Sequence, residues 1–140
     1  MKIAVTIAGN QAKSSAFVVW RGFEESIRKA AAYGYDGVEL ALKNAEELDR
    51  RDLRRWLKES GVEVSCITTG QVFADTGLYF THPDPEQRAK VKKIFYNLID
   101  FAEEFCGLIN VGRTRGFIAC DQNRSEVEDL FAEVARDICD

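Results

Sequence analysis

The chain has 140 residues, 46% of them apolar, a composition that builds one folded domain over residues 1–140 and excludes a disordered segment. Net charge is −4, and no block of Lys or Arg stands apart from balancing acids. That excludes the electrostatic footprint of a nucleic-acid binder and favours a small neutral or polar ligand.

The N-terminus, MKIAVTIAGNQAKSS, carries one short apolar run broken by Thr6 and Gly9. It reads as a first strand over residues 2–8 rather than a signal peptide or a membrane span, which places the protein in the cytoplasm. A loop over 9–22 follows. A helix over 23–33 turns Phe23, Ile27, Ala30 and Ala31 to one face, with Gly34 placed for a left-handed cap. The second strand is 37–41. The second helix starts at Asp49, whose carboxylate can cap free amides, buries Leu53, Trp56 and Leu57, and stops at Gly61. The third strand, 62–68, comes at once.

An insertion over 69–83 precedes a helix start in which Asp84 caps and Pro85 is the first helical residue. Val91, Ile94, Leu98, Phe101, Ala102 and Phe105 recur at three- and four-residue steps along that helix, which ends at Cys106 and Gly107. The fourth strand is 108–111 and a loop over 112–124 follows it. Ser125 and Glu128 form a capping box at the head of a final helix that buries Val127, Leu130, Phe131, Val134, Ala135 and Ile138. Four strand-then-helix units imply parallel strands, with the loops after each strand on one rim where such proteins place ligands.

Glu39 stands out on that rim, because an acid in an apolar strand is costly to bury without a partner. It serves either as a ligand contact or as a structural carboxylate satisfied by Lys, Ser or Thr of a neighbouring strand. Thr68, Thr69, Gly70 and Gln71 offer two hydroxyls, a permissive backbone and an amide suited to sugar hydroxyls or phosphate, or else make an ordinary polar turn. In Gly112-Arg113-Thr114-Arg115-Gly116 the guanidinium groups suit phosphate or carboxylate, or pair with nearby acids. No Walker or GxGxxG motif is present.

Cys66, Cys106, Cys120 and Cys139 form no CxxC pair, and His82 is the single histidine, so a zinc site is excluded. Cys66 and Cys139 read as small buried apolar residues and Cys106 as filler at a helix end. His82 reads as a loop or capping residue. Arg50, Arg51, Arg54 and Arg55, with Glu24, Glu25, Glu103 and Glu104, fall on solvent faces where intrahelical ion pairs explain them.

GYDGVEL at the second strand, GVEVSCITTGQ at the third, HPDPEQRAKVKKIFYNLIDFAEEF on the third helix and LINVGRTRG at the fourth strand resemble the N-terminal half of the sugar phosphate isomerase/epimerase family, the xylose-isomerase-like TIM barrels. The resemblance implies an α/β fold, the (βα)4 half of a (β/α)8 barrel, consistent with about 250 residues for a whole barrel. It implies a small sugar or sugar-phosphate substrate and a divalent metal, manganese, magnesium, cobalt or zinc, serving proton transfer between adjacent sugar carbons. The family's metal ligands and proton-exchanging glutamates lie on strands beyond those present. The residues it carries over are a substrate rim of Glu39, Thr69, Gly70, Gln71, Gly112, Arg113 and Gly116, with no metal site in this chain. Such a half would leave its inner face, lined by Ile3, Val5, Val64, Cys66, Ile109 and Val111 or their alternating neighbours, open to water, and strands one and four with free edges. Pairing with a second copy, or with a missing C-terminal half, closes it. A non-catalytic sugar- or anion-binding module and an inactive truncated fragment are the alternatives to an enzyme. An abasic-site endonuclease of the same barrel type is disfavoured by the single histidine.

Overall fold

The computed structural model describes residues 1–139. Its elements in chain order are strand β1 (Ala4–Ala8), strand β2 (Trp20–Arg21), helix α1 (Phe23–Ala32), strand β3 (Gly37–Ala41), helix α2 (Arg50–Ser60), strand β4 (Glu63–Thr68), helix α3 (Gly70–Thr76), helix α4 (Pro85–Phe105), strand β5 (Ile109–Asn110) and helix α5 (Arg124–Cys139). Single 3-10 turns lie at Ala45–Glu47 and Gly112–Arg115. The strands form one parallel sheet in the order β2-β1-β3-β4-β5.

Local signals set most boundaries. Asp49 accepts the amides of Arg51 (2.8 Å) and Asp52 (3.1 Å), Asp84 accepts that of Glu86 (2.8 Å) ahead of Pro85, and Gly34 and Gly61 hold left-handed φ at the helix ends. One face of the sheet is packed under the helices. Val5, Val38 and Val64 pair in one row and Ile7, Leu40 and Ile67 in another, all buried, against Ile27, Leu53, Leu98 and Phe101. A register shift between Val38 and Glu39 makes Ser65 an extra residue, its hydroxyl donating to the Val38 carbonyl at 3.1 Å. The bulge explains why Val64 faces the helices while Cys66 joins Thr6 and Glu39 on the opposite face. Of the expected open-face set, Val5, Val64 and Ile109 therefore turn the other way, and alternating neighbours such as Thr6 and Asn110 line that face.

Several expectations are corrected. The sheet has a fifth strand within the supposed loop 9–22, because the carbonyls of Thr6 and Ala8 accept the amides of Val19 (3.0 Å) and Gly22 (2.9 Å). The sheet edges are thus β2 and β5, and the edge of β1 is covered along its second half. The insertion 69–83 contains α3, closed by Gly77, where a glycine at the first helical position had masked the helix. Asn123, not Ser125, starts α5: its side-chain oxygen accepts the Ser125 amide (3.0 Å) and its carbonyl that of Val127 (3.2 Å), while Glu128 pairs with Arg124. Cys139 is exposed, lying one step past buried Ile138 on the helix. The basic run is largely interhelical: Arg50 reaches Asp100 (2.6 Å) and Glu104 (2.8 Å) on α4, and Arg54 also meets Glu104, while Arg55 with Asp52 and Arg28 with Glu24 are pairs within a helix.

The stripe on α5 is the least covered. Val134 and Ile138 are buried, but Val127, Leu130 and Phe131 are half-buried and Phe131 borders a cleft of about 360 Å³ with Phe117 and Ile118. The expected consequence is asymmetric: Leu98→Ala on α4 costs about 2–5 kcal/mol, whereas Leu130→Ala costs roughly 1. Urea unfolding of both variants checks this, and equal losses would show α5 to be as fully packed as α4.

Candidate functional site

The open face of the sheet is polar at its centre. Glu39 sits there in register with Thr6 on β1 and Cys66 on β4, and one step nearer the strand ends lie Ala8, Ala41, Thr68 and Asn110 in register. Burial pushes the Glu39 carboxyl above its ordinary range, opposed by a hydrogen bond from the Thr68 side chain. Burial and the neighbouring Glu39 charge push the Cys66 thiol up to about 11, so it stays protonated at neutral pH and donates to the Ile67 carbonyl at 3.3 Å. Cys66 is thus a wall of the site and no nucleophile.

The rim residues have other work as well. Thr69 is fully buried, and its hydroxyl lies 2.8 Å from the Asn110 carbonyl, 2.7 Å from that of Val111 and 3.0 Å from the Thr114 hydroxyl, joining the end of β4 to the end of β5. Gly70 packs beside Ala16. Gln71, only 3% exposed, donates to the Lys13 carbonyl (3.1 Å) and accepts the Lys13 amide (2.9 Å). Arg113 is exposed, stacks over Phe73 at 4.8 Å and donates to the Ser15 carbonyl at 3.1 Å. Gly112 and Gly116 hold φ of +54° and +97°, and at Gly116 a side chain would meet Tyr79 at 2.9 Å as well as the Thr81 hydroxyl, so the close approach of these loops requires glycine.

His82 lies off the Glu39 row. Its Nδ1 accepts the Asp84 amide at 3.1 Å and its ring meets Tyr79, which makes it part of the α4 entry. Asn110 was not legible in the sequence as a site residue, and neither was the aromatic cluster of Phe73, Tyr79 and Phe117. Thr68 and Asn110 share the strand parity of Glu39, a signal present in the letters once the bulge at Ser65 is known.

Over residues 27–140 the sequence matches the family described as Xylose isomerase-like TIM barrel. The chain belongs to this family. A comparison with curated proteins gave no match. Among solved structures, an AP endonuclease, family 2, from Brucella melitensis is similar at TM-score 0.67 and 20% identity, covering 99% of this chain and 50% of that one. A D-allulose 3-epimerase from Methylomonas sp., in complex with D-allulose, is similar at TM-score 0.67 and 16% identity, covering 99% and 49%. A D-psicose 3-epimerase, solved in the presence of D-fructose, gives TM-score 0.65 and 18% identity, covering 99% and 47%. The chain therefore spans about half the length of these structures, and its fold is half of such a barrel, with the Glu39 row on the inner side. Among the described residues no helix is long and apolar enough to cross a membrane.

The residues present do not fit the divalent metal that the resemblance implied. Among the described residues no three His, Cys, Asp or Glu side chains cluster, the partners of Glu39 in its row are the Thr6 hydroxyl and the Cys66 thiol, and the His82 Nδ1 is engaged by a backbone amide.

Because its folded-state pKa is raised, Glu39 contributes stability below its unfolded pKa, near 4.3 as an ordinary value, and loses it as pH rises through the folded pKa. Glu39→Gln is accordingly expected to match wild type at about pH 4 and to exceed it in stability at pH 7. A wild-type-to-variant difference that stays constant over that range, measured by urea unfolding, would contradict the raised pKa.

Proposed function

We propose that this chain forms the substrate-facing half of a sugar isomerase or epimerase barrel, taking a ketose or its phosphate against the Glu39 row. Its family membership over residues 27–140 is the observation that carries the proposal, because it gives chemical meaning to a half-buried acid on the inner face of the strands. Two similar structures are named as ketose 3-epimerases, which supports a small ketose as the class of substrate. The third is named an AP endonuclease, but a chain of net charge −4 is a poor match for a DNA backbone.

In this proposal Glu39 accepts a hydrogen bond from a sugar hydroxyl, with Thr6, Thr68 and Asn110 as polar neighbours at and just above its level. Thr69, Gly70, Gln71, Gly112 and Gly116 hold the rim in shape, and the exposed guanidinium of Arg113 lies where a phosphate on the sugar would meet it. The metal and the groups that exchange the proton between adjacent carbons come from the remaining strands. Those strands belong to the other half of a longer barrel, whereas a second copy of this chain closes the sheet edges without adding metal ligands, so in either case this half binds without turnover. The protein acts in the cytoplasm.

Isothermal titration of the chain with D-fructose is expected to give millimolar binding that weakens about tenfold or more in Glu39→Ala, the loss of a hydrogen bond to a charged group. The exposed Glu103→Ala serves as a control and leaves affinity unchanged. Equal D-fructose affinity in all three, or tighter binding to a duplex carrying an abasic site than to any ketose, would overturn the proposal.

A further inference from the structure

Residues 10–17 leave the end of β1 and return to pair beside it at β2, yet between those points they touch groups that follow β4 and β5. Gln71 after β4 grips Lys13 through both its amide and its carbonyl, Ala16 packs on Gly70, and Arg113 after β5 holds the Ser15 carbonyl. From β1 to β5 is three strand spacings, about 14 Å, so contacts with groups that follow β4 and β5 carry the segment along the carboxyl-terminal rim of the sheet. Ala41, on the same face as Glu39 and one step nearer the strand ends, is only 2% exposed. The segment therefore lies along the rim at the carboxyl ends of the strands, the end toward which Ala41 lies from Glu39.

What holds it there is polar and sparse. Ala16 is its one fully buried side chain, Phe17 at its end is 80% exposed, and its internal bonds are those of a turn, Ala12 to the Gly9 carbonyl (3.1 Å) and Ala16 to the Lys13 carbonyl (3.4 Å). An element with little buried apolar surface, tied by side chain to backbone bonds worth about 1 kcal/mol each, opens far more readily than the sheet beneath it. Gln71 is also buried at a cost that only its two bonds to Lys13 offset.

We propose that residues 10–17 are a lid over the Glu39 row and that Gln71 and Arg113 are positioning residues that hold it shut. Gln71 acts on a ligand only through the lid, whereas Arg113 can also meet an anion at the rim. The identity of what lies beneath rests on the ketose proposal above, while the lid itself does not. Arg113 couples the two, because a phosphate at the rim competes with the Ser15 carbonyl for its guanidinium and so favours opening.

Hydrogen exchange on the full chain tests this through the Ala12 and Ala16 amides, whose acceptors are neither Gln71 nor Arg113. Gln71→Ala is expected to speed both about tenfold and Arg113→Ala about fivefold, with Arg113→Lys restoring most of the protection because it keeps a donor for Ser15. The amides of Val19 and Ile67, bonded within the sheet, are expected to stay unchanged. A response confined to Lys13, or an equal rise at Val19 and Ile67 that marks general destabilisation, would overturn the lid. Added D-fructose should slow Ala12 and Ala16 in wild type. If it slows neither while the variants behave as expected, the ketose proposal falls and the lid stands.

Discussion

The whole arrangement depends on how strand side chains divide between two faces of one parallel sheet. On one side, Val5, Val38 and Val64 and then Ile7, Leu40 and Ile67 form continuous aliphatic rows that the helices cover. On the other side, the row that falls between these two is Thr6, Glu39 and Cys66. Ser65 makes this possible, because the extra residue lets β4 turn Val64 to the helices and Cys66 to the opposite face. Were Ser65 an ordinary strand residue instead of a bulge, β4 would present either a valine to the site or a thiol to the core.

That division also explains the electrostatics. The half-buried Glu39 carboxylate, in a row with Thr6 and Cys66, is poorly solvated, and Thr68 offers it a compensating hydrogen bond. Glu39 therefore lowers the stability of the fold at neutral pH, and such a cost is characteristic of positions where a ligand or a later partner supplies the missing hydrogen bond. The neighbouring thiol is driven toward its protonated form by the same lack of solvent and by the same charge.

Features set by neighbouring residues were legible in the sequence. Asp49, Asp84 with Pro85, Gly34 and Gly61 each act within a turn of where they stand, and the stripe on α4 repeats over 21 residues. Glu39 was legible too, since an acid in an apolar strand contradicts its surroundings. Features set by distant contacts were not. The two-residue β2 has no periodicity to read and exists because the Thr6 and Ala8 carbonyls accept amides from it. The partners of Thr69 and Gln71 are 41 and 58 residues away, so nothing near either residue in the chain announces that its polar group is spoken for. The rim residues stood out only by their chemistry, and their attachment to residues 10–17 and to β5 emerged only from the fold.

The central claim is that Glu39 is a poorly solvated acid placed to meet a sugar hydroxyl. The most direct measurement is a carbon-13 NMR titration of its side-chain carboxyl, with and without D-fructose. The account requires a midpoint above the ordinary glutamate value that shifts when the sugar is added. A midpoint at the ordinary value, unmoved by D-fructose, would contradict it.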